Sequence, residues 1–179
     1  MKYIALLRGI NVGGNNKISM RELKACFDNA GFLDVRTYIN SENVIFNSDE
    51  HDLFLLSKIC EEAIELQFKL PIRVALIEAN ALKETLEHAL ARWGMDTTSK
   101  HNAIFIIPPA TAEGIIADVG DINPEYEQLD FNCSLMFWSA KIETFSRTRW
   151  SKTVDKKSYQ DITIRNINTT RRLLELDFS

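Results

Sequence analysis

Two successive runs of strand, helix, strand, strand, helix, strand are legible along these 179 residues. They predict an α+β fold: two tandem ferredoxin-like (split βαβ) halves with antiparallel sheets, plus extra helices. Two further observations support this. The strands are short and separated by turn residues, and each expected half is near the size at which a lone domain is marginal, which favours one packed unit. The expected organisation is an N-terminal half over 1–78 and a C-terminal half, carrying the extra helices, over 79–179.

In the first half, Tyr3-Ile4-Ala5-Leu6-Leu7 is continuously apolar, as suits a central strand. After a glycine loop, Ser19 and Glu22 form an S-x-x-E capping box. Met20, Leu23, Phe27 and Ala30 then repeat at helical spacing, and Gly31 stands where a C-terminal glycine belongs. Val35–Ile39 alternates as a half-exposed strand, and Asn43–Phe46 returns as its hairpin partner across Asn40-Ser41-Glu42. Asn47, Ser48 and Asp49 offer N-caps to a helix with Leu53, Leu56, Cys60 and Ala63 on one face, ended by Pro71. Ile72–Ile77 is the fourth strand. With right-handed crossovers this order places both helices on one face of a four-stranded sheet, with the first and third strands as central antiparallel neighbours.

The second half opens with a helix over Asn80–Arg92, using Leu82, Leu86 and Leu90, and Gly94 stops it. Ala103–Ile107 reads as a buried strand broken by Pro108-Pro109, and Thr111 caps a short helix through Ile115, Ile116 and Val119. Tyr126–Phe131 and Ser134–Trp138 form a hairpin turning at Asn132-Cys133. A short helix over Ser146–Lys156, a strand at Ile162-Thr163-Ile164 and a final helix complete the run.

The apolar content of 45% is enough for a sizeable core. A net charge of −4 argues against broad, nonspecific nucleic-acid binding. Cys26, Cys60 and Cys133 are odd in number, far apart and without a CxxC, which fits buried free thiols in a reducing compartment. No signal-peptide core opens the chain, and no apolar stretch approaches the roughly 20 residues of a membrane span. A soluble, cytoplasmic protein with no membrane contact is expected.

The stretch Leu6-Leu7-Arg8-Gly9-Ile10-Asn11-Val12-Gly13-Gly14 carries three of the seven glycines at the end of the first strand. Strand order brings Arg8, Asn11, Ser41 and Asn43 to one rim, where a planar guanidinium and loop N–H groups suit a phosphate or carboxylate. Arg8, Gly9, Asn11, Gly13, Gly14, Asn40, Ser41, Asn43, Arg165, Asn166 and Asn168 are therefore the candidate binding residues. The same asparagines also suit turns and caps, and Arg8 also suits pairing with a structural carboxylate. The loop is neither a Walker A loop nor a G-x-G-x-x-G fingerprint. His51, His88 and His101 show no metal-ligand spacing and read as solvated; no metal or cofactor is expected. No Gly-x-Ser-x-Gly elbow or Cys–His pairing supports nucleophilic catalysis, so no acid, base or nucleophile is assigned.

The segment from Tyr3 to Phe46, with LLRGINVGG, ISM-x-ELK and TYINSENVIF, resembles the bacterial family called domain of unknown function 1697. Thr163-Ile164-Arg165-Asn166-Ile167-Asn168-Thr169 is similar to that family's T-x-R-N-x-N-T signature. Glu42 departs from the family's usual Ser-Gly-Asn-Val, and Lys141 stands where members often have glycine before the Ser-Arg pair, here Ser146-Arg147. The resemblance implies two fused ferredoxin-like halves and no established activity.

Two roles follow as expectations. The first is binding of a small anionic or nucleotide-like ligand through the Arg8–Gly14 loop and the 163–169 segment, whose matching polar signatures would serve one shared site. The alternative is an interaction module whose basic C-terminal face contacts nucleic acid or an acidic protein partner. It draws on Arg147-x-Arg149-Trp150-x-Lys152 near Lys156, Lys157, Arg165, Arg171 and Arg172.

Overall fold

The computed structural model describes all residues except 12–15, 39–42, 91–92, 133 and 175–179, with Leu90 and Leu174 described by their backbone alone. It divides into two compact units, one spanning Met1–Asn80 and the other beginning at Ala81.

The first unit runs β1 (Lys2–Leu7), α1 (Met20–Asn29), β2 (Leu33–Tyr38), β3 (Asn43–Asn47), α2 (Leu53–Phe68) and β4 (Val74–Glu78). Its sheet has the order β2-β3-β1-β4, with every neighbour antiparallel. Ile4 lies opposite Ile45 on one side and Ile77 on the other. Side chains alternate across a strand, so Tyr3, Ala5 and Leu7 point to one face. There they share a core with Leu23, Cys26 and Phe27 of α1 and Leu56, Cys60 and Ile64 of α2. Ile4, Leu6, Ile45, Ala75 and Ile77 on the opposite face are buried too. That two-sided burial is why β1 reads as an unbroken apolar run.

Local signals act as their chemistry requires. The Ser19 hydroxyl accepts the Glu22 N–H at 3.2 Å and donates to the Glu22 carboxylate at 2.6 Å. Gly31, just past α1, takes φ +90, a conformation that costs a residue without Cβ little. The cap of α2 departs from expectation: Asp52, rather than Asn47, Ser48 or Asp49, accepts from the N–H groups of Phe54 and Leu55. The reason lies at the other end of the unit. The Ser48 N–H donates to the Met1 carbonyl and the Met1 ammonium to the Ser48 carbonyl, so extended backbone continues past β3 and the helix starts later. It ends at Lys69, whose left-handed backbone (φ 58) stops it two residues before Pro71.

The second unit contains α3 (Ala79–Leu90, begun at the end of the first unit), β5 (Ser99–Ile106), α4 (Ala112–Val119), β6 (Glu127–Asn132), β7 (Leu135–Lys141), β8 (Ile162–Asn166) and α5 (Ile167–Leu174). Its sheet repeats the first topology, β6-β7-β5-β8, again antiparallel throughout. Ile104, Ile106, Ile115, Val119, Met136, Trp138, Trp150 and Ile162 form its core. β5 begins four residues before the expected Ala103, because the polar Ser99–Asn102 pair with Lys141–Trp138 of β7.

The expected helix over Ser146–Lys156 is replaced by three 3₁₀ segments, Ile142–Arg147, Trp150–Asp155 and Lys157–Asp161. Hydroxyl groups there take up backbone bonds that an α-helix would use: Thr148 Oγ1 donates to the Phe145 carbonyl and accepts the Ser151 N–H, and Ser151 Oγ donates to the Thr148 carbonyl.

Candidate functional site

Among the candidates, Arg8 and Gly9 follow directly from the end of β1. The Arg8 N–H donates to the Arg73 carbonyl at 3.0 Å, fixing the loop's first residue beside the entry to β4. The loop then turns on three left-handed residues, Gly9 (φ 70), Asn11 (φ 54) and Asn16 (φ 48). Its own asparagines hold it. Asn11 Nδ2 donates to the Ile18 carbonyl and Asn11 Oδ1 accepts the Ile18 N–H, both at 2.9 Å, so the amide mimics a strand partner. Asn16 Nδ2 donates to the Gly9 carbonyl at 2.9 Å, and the Asn11 N–H to the Asn16 carbonyl. Asn11 is thus a brace within the loop. Gly13, Gly14, Asn40 and Ser41 lie outside the described residues.

Asn43 stands at the expected rim, paired with Leu6 of β1 and Tyr38 of β2. It is only 1% exposed. Its Nδ2 donates to the Tyr38 carbonyl at 3.4 Å, while its buried Oδ1 has no donor among the described residues.

The C-terminal candidates have work inside their own unit. Arg165 is buried in β8, and its Nη1 donates to Thr163 Oγ1 at 2.7 Å and to the Ile164 carbonyl at 3.1 Å. Asn166 is the N-cap of α5: its Oδ1 accepts the Thr169 N–H at 3.0 Å. Asn168 is exposed in the first turn of that helix. In the basic stretch, Arg147, Arg149, Lys152 and Lys157 are exposed. Trp150 is 1% exposed and donates its indole N–H to the Gly120 carbonyl at 3.1 Å, so no base can stack on it.

Three polar features escaped the sequence. His101 is buried rather than solvated: its Nε2 lies 2.7 Å from the Asp96 carbonyl and its Nδ1 2.7 Å from Ser139 Oγ. A carbonyl can only accept, so Nε2 carries a proton, and in the neutral ring Nδ1 accepts from Ser139. Glu127 is also buried, accepting from the Asn123 N–H and from Trp138 Nε1. The third is a cleft of about 700 Å³ between α3 and the β6–β7 hairpin, lined by Glu84, Thr85, His88, Trp93, Asp130 and Phe131 among others. The signal for it was weak: Gln128, Asp130 and Asn132 alternate along β6 as an ordinary half-exposed strand does.

Burial pushes the Cys26 thiol up to about 11 and raises Cys60 further, so neither is a nucleophile at neutral pH. Both are free thiols. Among the described residues no group of three or more His, Cys, Asp or Glu is placed to hold a metal ion, and no helix is long and apolar enough to cross a membrane.

Two tandem split βαβ units, the first carrying a braced glycine-containing loop at the end of its central strand, define the class of protein. A family model described as protein of unknown function (DUF1697) matches residues 1–137, and the chain belongs to that family. It is also similar to the solved structure of the conserved bacterial protein SP0830 from Streptococcus pneumoniae. The identity is 30% over 97% of each chain, with a TM-score of 0.84. No match was found among curated proteins.

Proposed function

We propose that this protein binds a small anionic or nucleotide-like ligand, with the loop that begins at Arg8 as the seat of the anion. One observation carries the reading: three left-handed residues within eight positions, Gly9, Asn11 and Asn16, braced by their own side chains. A non-glycine residue in that region is strained by about 1 kcal/mol or more. A simple connection between a strand and a helix needs no such loop, whereas a preorganised anion site does. Charge supports the choice, since residues 8–18 carry Arg8 and Lys17 and no acidic residue. The Arg165 and Asn166 side chains bond within their own unit, so the reading rests on the loop that begins at Arg8. The alternative, a basic C-terminal face contacting nucleic acid or an acidic protein partner, draws less support on its nucleic-acid side because its aromatic, Trp150, is buried.

A thermal screen with inorganic phosphate, nucleoside monophosphates and nucleoside triphosphates tests the proposal. A ligand at 100 times its Kd adds about 2.7 kcal/mol, a shift of about 5–10 °C for a chain of this size. Arg8→Ala should abolish the shift and keep the folded circular dichroism spectrum. A shift that survives Arg8→Ala, or no shift with any phosphate compound, overturns the reading.

A further inference from the structure

We infer that Ser139 and His101 form a nucleophile–base pair for acyl transfer, with esters of short-chain acids as the substrate class. The inference goes beyond the Arg8 loop and rests on different residues, all in the second unit.

The sheet sets the pair. On β7, Trp138 and Ala140 turn into the core with Ile104 and Met136, so Ser139 between them points to the opposite face. Register places it across from His101 of β5 on one side and Gln128 of β6 on the other. Opposed side chains of antiparallel strands stand about 5 Å apart at Cβ, close enough to bond. Ser139 Oγ lies 2.7 Å from His101 Nδ1, and His101 Nε2 lies 2.7 Å from the Asp96 carbonyl.

A cross-strand hydrogen bond alone would be structural. Two observations carry it further. The first is the tautomer: a carbonyl only accepts, so Nε2 holds the proton of the neutral ring and Nδ1 presents its lone pair to the serine hydroxyl. The turn that supplies the carbonyl is itself held, because the Asp96 carboxylate accepts from Thr98 and Ser99. Nucleophile, base and a third group that orients the base are the parts of an activated serine. The second is access: Ser139 and His101 both line a pocket of about 160 Å³. Sites for drug-sized ligands start at about 300 Å³, so this one takes a short acyl group and leaves the rest of the ester outside. Gln128 and Lys141 line it too, and they carry N–H donors for the acyl oxygen as it becomes negative.

In the reaction, Ser139 Oγ attacks the ester carbonyl carbon while its proton passes to His101 Nδ1. The bond to the leaving oxygen then breaks, and the departing alcohol takes that proton. Water attacks the acyl-serine in the same way, giving a proton to Nδ1, and the proton returns to Ser139 Oγ as the free acid leaves. Ester and water become acid and alcohol, with no change of oxidation state.

The full chain with p-nitrophenyl acetate tests the proposal. Peptide mapping by mass spectrometry should place an acetyl group on Ser139 of the parent chain, accompanied by a burst of p-nitrophenol. Ser139→Ala should abolish the burst, and Ser139→Cys should carry the acetyl group on its own sulfur. His101→Gln should slow acetylation about a hundredfold or more, the worth of a positioned base. The octanoate ester should leave Ser139 unlabelled. Arg8→Ala should change none of this, so failure of the pair and failure of the loop reading are separable. Acetyl groups only on lysines or the N-terminus, a burst that survives Ser139→Ala, or acetylation indifferent to His101→Gln overturns the proposal. Equal labelling of Ser139 by the octanoate overturns the assignment of a short acyl group.

Discussion

Asp96 shows how much a single exposed side chain can organise. Its carboxylate accepts from Ser99 Oγ at 2.6 Å, from Thr98 Oγ1 at 2.6 Å and from the Thr98 N–H at 2.8 Å, while its carbonyl holds His101. Hydrogen bonds from Ser99 and then Thr98 bring its pKa from 3.8 down to about 2. A folded pKa below the unfolded one means that the stabilisation is complete above about 3.8. It is lost as pH falls through about 2. Urea melts of the parent and of Asp96→Asn should therefore differ at pH 6, with the gap closing as the pH approaches 2. A gap that stays constant across that range would mean that the ionised carboxylate is not what holds the turn. Asn11 works on the same principle without charge: one amide supplies both the donor and the acceptor that Ile18 needs, and the loop closes on a side chain instead of on a second strand.

Element boundaries follow from which partner reaches a backbone group first. α2 starts where Asp52 caps it, so Asp52→Ala should cost about 1 kcal/mol in urea unfolding. Ser48→Ala should cost less than that, because its hydroxyl accepts one N–H, that of Glu50, where Asp52 accepts two at the helix start. Equal costs would return the cap to the earlier residue. This element also shows what could be read in advance. The apolar periods of Leu23–Phe27 and Leu56–Ile64, the capping box at Ser19 and the glycine after α1 are local, and sequence alone carried them. The cap of α2 depended on the pairing of Met1 with Ser48, 47 residues apart, which no local pattern reports. His101 looked solvated beside Lys100, yet its burial comes from Trp93, whose ring sits edge-on 5.9 Å away, and from Ser139 on β7. In the candidate site the residues were legible as strand-end and loop residues. Their tasks were not, because an asparagine that braces a loop, one that caps a helix and one buried at a rim are the same letter until the backbone around them is placed.

At the scale of the whole chain, the same strand order is built twice with different material in its second crossover. In the first unit that crossover is α2, sixteen residues of α-helix with Leu56, Ser57, Cys60 and Ile64 buried along it. In the second it is residues 142–161, where Trp150 is the one large apolar side chain fully buried among the described residues. There the backbone bonds reach back three residues: Thr148 to Phe145, Lys152 to Arg149, Lys156 to Thr153 and Tyr159 to Lys156. Such turns have poorer hydrogen-bond geometry than an α-helix and here have little apolar surface to hold them closed. In the language of hydrogen exchange, the amides of 142–161 belong to a low-energy opening unit and those of α2 to a high-energy one. Deuterium should enter the first set well before the second at neutral pH; equal protection of the two would show that the crossovers open together. The fold's repeat is thus one of topology more than of cohesion, and opening of the second unit is expected to begin at residues 142–161.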